Sequence, residues 1–315
     1  MLNFSVAIRT YNGEKYLPLL LEKLRSQVNT ENISWEIVIV DNNSTDNTTR
    51  IIQEYQLDWP ESYPIHYFFE PQQGACYARQ RAMKEAKGSL VGFLDDDNLP
   101  SPDWVASAYV FGQSHPQAGA YNGLIPAIYQ GQPPKNFKKI ASCLAIIEWK
   151  ETEPFCFNLQ KKGGLLPPGA GIVIRKEAWE ENVPLNLKLK GPVSGSLNAK
   201  GEDIETLLYI RNGGWEIWFN PGMHIYHKIS QSRLEKKYLM KLLRGIGLSL
   251  HRTRMLGYPP WQRPLVIPLY MANDLRKVII NRLKYGKELE TDIVAASQME
   301  MYFCLLYTSD AADDW

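Results

Sequence analysis

The first hundred residues constrain this chain most: β-branched runs alternate with helical segments, and three of those runs stop on polar residues. Residues 4–9 form a short apolar strand followed by the turn Thr10-Tyr11-Asn12-Gly13. Residues 16–27 then carry Leu17, Leu20, Leu21 and Leu24 at helical spacing. Residues 35–40 read as a second strand ending at Asp41, and the turn 42–46 caps a helix through Ile51, Ile52 and Tyr55. Residues 65–69 give a third strand and 75–87 a helix stopped by Gly88. Residues 90–94 give a fourth strand running into Asp95-Asp96-Asp97. This alternation predicts the α/β class, a mostly parallel sheet flanked by helices. Such sheets bind ligands beyond the carboxyl ends of their strands, so the polar stops at 10–12, 41 and 95–97 predict a site there.

Further along, Ser101-Pro102-Asp103 opens a helix. Gly169-Ala170-Gly171 leads into a strand over 172–175 and a helix from Lys176, either letting backbone approach a bound ligand closely or making a tight turn. Residues 191–200 read as a mobile loop rich in Gly, Ser and Asn, and Gly201-Glu202-Asp203 opens a helix over 204–212. A strand over 215–219 and the segment His224 to His227 complete a unit ending near residue 231. Trp215 and Trp218 read first as core aromatics and second as a platform on which a ligand ring could stack.

From Ser232 the character changes. Arg233, Lys236, Lys237, Lys241, Arg244, Arg252 and Arg254 precede the break Pro259-Pro260-Trp261, and residues 265–283 mix apolar side chains with Arg276, Lys277 and Arg282. This C-terminal helical appendage, 232–303, reads either as helices packed on the preceding domain or as a basic amphipathic surface resting on a membrane. No run of about 18 apolar residues suggests a spanning helix, and the start shows no leader pattern. The expectation is a cytoplasmic protein, with any membrane contact peripheral and at the inner face. The run CLLYTSDAADD from Cys304 to Asp314 resembles the translation of a transposon-end sequencing adapter, so 304–315 is expected to be a non-native tail. A net charge of +1 offers nothing to nucleic acid. Four cysteines without CxxC or metal-ligand spacing read as reduced thiols.

Asp95-Asp96-Asp97 at a strand end offers hard oxygen ligands on a rigid base, as a divalent cation holding a diphosphate requires. A solvated acidic turn is the alternative. The triplet lacks the Gly and Glu of a calcium EF-hand loop, and the chain contains neither GxxxxGK[ST] nor GxGxxG.

The triplet sits within a longer ordered pattern: FSVAIRTYNGEKYLPLLLEKL, WEIVIVDNNSTDNTTRII, QGACYARQRAMKEAKGSLVGFLDDDNLPSPDWV, PPGAGIVIRKEAW and GEDIETLLYIRNGGWEIWFNPGMHIYHK. In order and spacing these resemble a family 2 glycosyltransferase of GT-A fold over residues 4–230. The resemblance implies that Thr10, Tyr11 and Asn12 line a nucleotide pocket and that Asp41 hydrogen-bonds the base, typically uracil. The family's second acid is Asn42 here. Arg79 would face the nucleotide or its phosphates, with Gln80 where Asn is usual. Asp95 and Asp97 match the DxD motif, Asp95 and Asp96 facing the nucleotide sugar and Asp97 a Mn²⁺ or Mg²⁺ ion. Asp203 matches the general base, and His227 a position that completes the metal shell. The implied activity is inverting transfer from a nucleotide sugar, with UDP the expected carrier, to a glycan or lipid-linked acceptor in polysaccharide synthesis.

The chemistry suits those residues: a leaving diphosphate gathers charge that a Lewis acid neutralises, and a carboxylate takes the acceptor's proton. Taken singly, Asp203 reads as a helix cap and His227 as a structural histidine. Two rivals stand beside this reading. One is a catalytically silent module scaffolding polysaccharide assembly, and the other is a nucleotidyltransferase, for which RTYNGEKY makes a poor phosphate loop.

Overall fold

The computed structural model describes residues 2–157, 166–191 and 200–310. The chain begins with β1 (Leu2–Thr10), α1 (Leu17–Arg25), β2 (Trp35–Asp41), α2 (Thr48–Leu57), β3 (Ile65–Phe69), α3 (Ala75–Glu85) and β4 (Gly88–Asp95). There follow β5 (Asn98–Pro100), α4 (Trp104–Ser114), β6 (Ala118–Leu124), β7 (Ala127–Tyr129), β8 (Phe155–Cys156), β9 (Val173–Arg175), α5 (Lys176–Asn182), α6 (Glu202–Asn212) and β10 (Glu216–Ile229). Three helices end it: α7 (Lys236–Leu256), α8 (Arg263–Tyr285) and α9 (Ile293–Asp310).

One sheet runs in the order β3-β2-β1-β4-β9-β6-β10-β5, parallel from β3 to β4 and mixed beyond, where β9 is antiparallel to both β4 and β6. Helices cover both faces, so β1 and β2 are buried almost throughout and need unbroken apolar runs rather than alternation. The four leucines of α1 form its buried stripe. Trp104 of α4 meets Phe4 edge-on at 6.0 Å between ring centroids.

Register matters most for function. β1 sits between β2 and β4 with Thr10 opposite Asp41 and Arg9 opposite Asp95, so three strands end at the same level. The strand expected over 215–219 runs on as one strand of 14 residues, through His224 and His227. Its pairing with β6 shifts between Phe219 and His224, where Asn220-Pro221-Gly222 interrupt the ladder. The strand continues because its second half finds new partners in β5 and β7.

The appendage is anchored through a second, smaller core. Leu239, Leu242 and Leu243 of α7 are buried with Phe137, Ile140, Ile229 and Val294. Among the described residues no helix is long and apolar enough to cross a membrane. Residues 192–199 of the expected loop lie outside the described residues, as do 311–315 of the expected tail, whose first residues continue α9.

Candidate active site

The aligned ends of β1 and β4, the start of α3 and the first turns of α7 enclose a cleft of about 700 Å³. Thr10, Tyr11, Asp95, Asp96 and Asp97 line it, and so do Arg9, Asn42, Lys200, Arg233 and Lys241. Thr10 donates its hydroxyl to Asp96 Oδ2 at 2.9 Å. A Cβ on Gly13 would fall 2.1 Å from that hydroxyl, so the turn after β1 requires glycine there.

Asn12 and Asp41 build the rim rather than line the cleft among the described residues. Asn12, at φ 54°, accepts the Thr45 N–H through Oδ1 at 2.8 Å and donates its own N–H to Ser44 Oγ at 2.9 Å, stitching together the turns after β1 and β2. Asp41 is fully buried; it accepts from the Ser44 N–H (2.9 Å), the Thr49 hydroxyl (2.9 Å) and the Tyr67 hydroxyl (3.3 Å). The neighbouring Asn42 reaches the cleft and holds the α3 entry by accepting the Gly74 N–H at 2.8 Å.

A charge network runs from the cleft wall into the interior. Arg9 grips Asp95 with two bonds of 2.5 and 3.2 Å and reaches Glu202 Oε1 at 3.0 Å. Burial pushes the Asp95 carboxyl up, but Arg9 foremost, with Arg79 and His227, outweighs it and holds the group down at about 2. Arg79 is buried beneath, its guanidinium 4.9 Å from the Phe93 ring centre and 4.0 Å from Glu202. Burial and the adjacent Arg9 both lower its proton affinity. Asp203 sits at the start of α6, accepting the Gly169 N–H at 2.7 Å and the Ile204 N–H at 2.9 Å. Burial and neighbouring Glu202 raise its proton affinity above that of an ordinary aspartate, against the pull of Arg79 and the two N–H groups. Gly169 therefore has a structural reason: it lies against Asp203 and Arg79. Gly171, at φ +68°, packs on Ile225.

Burial and the adjacent Asp97 push Asp96 up to about 7. Burial acts on Asp97 in the same direction, but His227 and Arg233 together hold it below the usual carboxylate range. His227 Nε2 lies 3.3 Å from Asp97 Oδ2. Arg233 Nη1 sits between them, 2.5 Å from the carboxylate and 3.0 Å from the imidazole. His227 Nδ1 has no hydrogen-bond partner among the described residues.

These atoms fit a divalent cation. Two adjacent ligands at about 2.1 Å from one ion stand about 3 Å apart, close to the separation seen here, and the point they share already holds a positive group. Among the described residues no third His, Cys, Asp or Glu joins them. An ion here would complete its shell from substrate phosphate and water, as Mg²⁺ commonly does.

Arg9, Glu202, Lys200, Arg233 and Lys241 escaped the sequence reading. Arg9 had a signal, as the one charge in an apolar strand just before a polar turn. Arg233 and Lys241 were hidden in a basic stretch that composition alone assigns to the surface. Trp218 belongs to the aromatic packing, 4.9 Å from the His115 ring and donating to Glu216 at 2.8 Å. Neither it nor Trp215 lines the cleft among the described residues.

The family model described as Glycosyl transferase family 2 matches residues 5–181, more than half of the chain. The poly(ribitol-phosphate) beta-N-acetylglucosaminyltransferase TarS of Staphylococcus aureus is 32% identical over 115 residues, 36% of this chain and 20% of that protein. An undecaprenyl-phosphate 4-deoxy-4-formamido-L-arabinose transferase of Pectobacterium carotovorum is 32% identical over 101 residues, 32% of this chain and 31% of that protein. The chain thus spans between a fifth and a third of the length of these relatives. In three dimensions it resembles the mannosyltransferase PcManGT of Pyrobaculum calidifontis, solved with GDP-Man and Mn²⁺. The TM-score is 0.63 at 17% identity, covering 100% of this chain and 87% of the other. At that identity the likeness is one of fold.

Proposed function

The chain belongs to glycosyl transferase family 2 and carries the GT-A fold, and from that premise we propose that it is an inverting, metal-dependent glycosyltransferase using a nucleotide sugar, with UDP as the expected carrier, and a glycan or lipid-linked acceptor. The observation that carries the reading is the convergence of Asp97 Oδ2 and His227 Nε2, 3.3 Å apart at the edge of a cleft lined with basic side chains. Of its relatives, TarS is named for poly(ribitol-phosphate) and the Pectobacterium enzyme for undecaprenyl phosphate, which supports a glycan or lipid-linked acceptor.

Asp97 and His227 would hold Mn²⁺ or Mg²⁺. Once bound, the ion supplies Lewis-acid neutralisation of the donor diphosphate. Thr10, Tyr11 and Asn42 face the nucleoside, while Asn12 and Asp41 keep the rim in shape. Lys200, Lys241 and Arg233 bring positive charge to the diphosphate. The acceptor oxygen attacks the anomeric carbon as the bond from that carbon to the diphosphate oxygen breaks, and the nucleoside diphosphate departs with the electron pair. Asp203 takes the acceptor's proton, for which its raised proton affinity suits it. A single displacement of this kind inverts the anomeric centre. Arg79 and Arg9 support Asp203 and Asp95 from below.

The test separates binding from transfer. Asp97→Ala should abolish Mn²⁺-dependent binding of the nucleotide sugar in calorimetry. Asp203→Asn should retain binding and lose at least about 100-fold in transfer. Equal transfer by wild type and Asp203→Asn would refute the role of the base. A silent scaffold would show nucleotide-sugar binding without turnover in the wild type itself.

A further inference from the structure

Helix α8 is built differently from its neighbours. Only Asp274, Val278 and Asn281 are buried along its 23 residues. At 100° per residue these three fall on one side, where Asp274 is gripped by Arg254 from α7 at 2.5 Å and by Lys277 at 3.6 Å. The opposite side projects Leu265, Leu269, Ile279, Ile280 and Leu283, and Trp261 in the preceding turn is exposed as well. Leu269 is 70% exposed and Leu283 80%. Among the described residues nothing covers this face.

The charges on the helix are all of one kind apart from the buried acid. From Pro259 to Lys287 the only acidic residue is Asp274, whereas Arg276 lies within the apolar row and Arg282 and Lys284 flank it. We infer that α8 is a docking surface for an anionic phospholipid bilayer, lying in the plane of the headgroups with its leucines and isoleucines among the upper acyl carbons. An exposed row of aliphatic side chains without acids, edged by long basic side chains, matches such an interface. The apolar part enters the acyl boundary, Arg276 extends back to a phosphate, and the flanking charges stay in the headgroup layer. A tryptophan at one end is suited to the same depth. A second copy of the chain fits less well, because its α8 offers no carboxylate to Arg276 or Arg282 and would bury like charges together. The inference does not depend on the donor or acceptor assigned above. It does orient the cleft, because α7 lines the cleft with Lys241 at one end and holds α8 through Arg254 at the other.

The test is flotation of the full chain with vesicles of phosphatidylcholine alone and of phosphatidylcholine mixed with phosphatidylglycerol. Arg276→Glu/Arg282→Glu and Leu269→Glu/Ile279→Glu serve as variants. All four positions are solvent-facing, so circular dichroism and Mn²⁺-dependent nucleotide binding should match the wild type. The wild type should float with the anionic vesicles only, and less at high salt. Both double variants should bind at least about tenfold more weakly. Equal flotation with neutral vesicles, no flotation, or undiminished binding by either variant would overturn the inference. So would light scattering that shows a wild-type dimer dissociated by Leu269→Glu/Ile279→Glu, which would assign the face to a second copy.

Discussion

Gly169→Ala is the sharpest probe of the site, because it removes no functional group and alters only space. A Cβ at this position would lie 2.5 Å from Arg79 Nη2, 2.7 Å from Asp203 Cβ and 3.0 Å from Asp203 Oδ2. Carbon atoms pack at about 3.5–4.0 Å, so Asp203 must retreat by about 1 Å or the 167–170 turn must lift. Either movement strains the Gly169 N–H bond to the carboxylate, 2.7 Å long. Overpacking of this kind costs about 1–3 kcal/mol of stability, which a domain of this size tolerates. A catalytic group displaced by about 1 Å costs about 100-fold in rate, equivalent to about 2.7 kcal/mol in the barrier. The expected result is a modest fall in melting temperature, nucleotide-sugar affinity within about twofold of wild type, and kcat down about 100-fold. Calorimetry supplies the affinity and radiolabelled sugar transfer the rate. Wild-type kcat in a folded Gly169→Ala protein would refute the placement of Asp203 against the reacting acceptor.

Three further outcomes follow from the same network. Arg233→Ala frees Asp97 and His227 from a competing cation, so Mn²⁺ should bind the nucleotide-free protein about tenfold more tightly by electron paramagnetic resonance; unchanged or weaker binding would show that Arg233 does not share that position. If Asp203 is the base proposed above, the acid limb of the kcat–pH profile should lie above the ordinary aspartate value of about 3.9, since burial and Glu202 raise its pKa and a base acts only when ionised. A raised folded-state pKa makes protonation of Asp203 favour the folded form as pH falls, so this limb should appear without a matching loss of structure in circular dichroism. Glu202→Gln leaves Arg9 and Arg79 facing each other with their shared carboxylate gone; urea unfolding should report a loss of about 3–5 kcal/mol, and a loss below about 1 kcal/mol would mean the two arginines are held by Asp95 and Asp203 alone.

Local order in the chain was legible because it rests on short-range rules. The leucines of α1, the β-branched run of β2 and the strand running into Asp95 each declare their element within a few residues, and the resulting α/β alternation leaves little choice of architecture. The family pattern added roles for Asp97, His227 and Asp203, which stand far apart in the chain. Periodicity could not show how β1 registers between β2 and β4, since many offsets bury the same apolar residues. That register alone puts Arg9 beside Asp95 and Thr10 opposite Asp41. Nor could local pattern show that Arg233 returns to the cleft from a stretch that reads as surface. A side chain's electrostatic surroundings are set by residues distant in sequence, so only the assembled structure decided that Arg79 would be buried, that Asp41 would brace a turn, and that α8 would be left with its apolar face uncovered among the described residues.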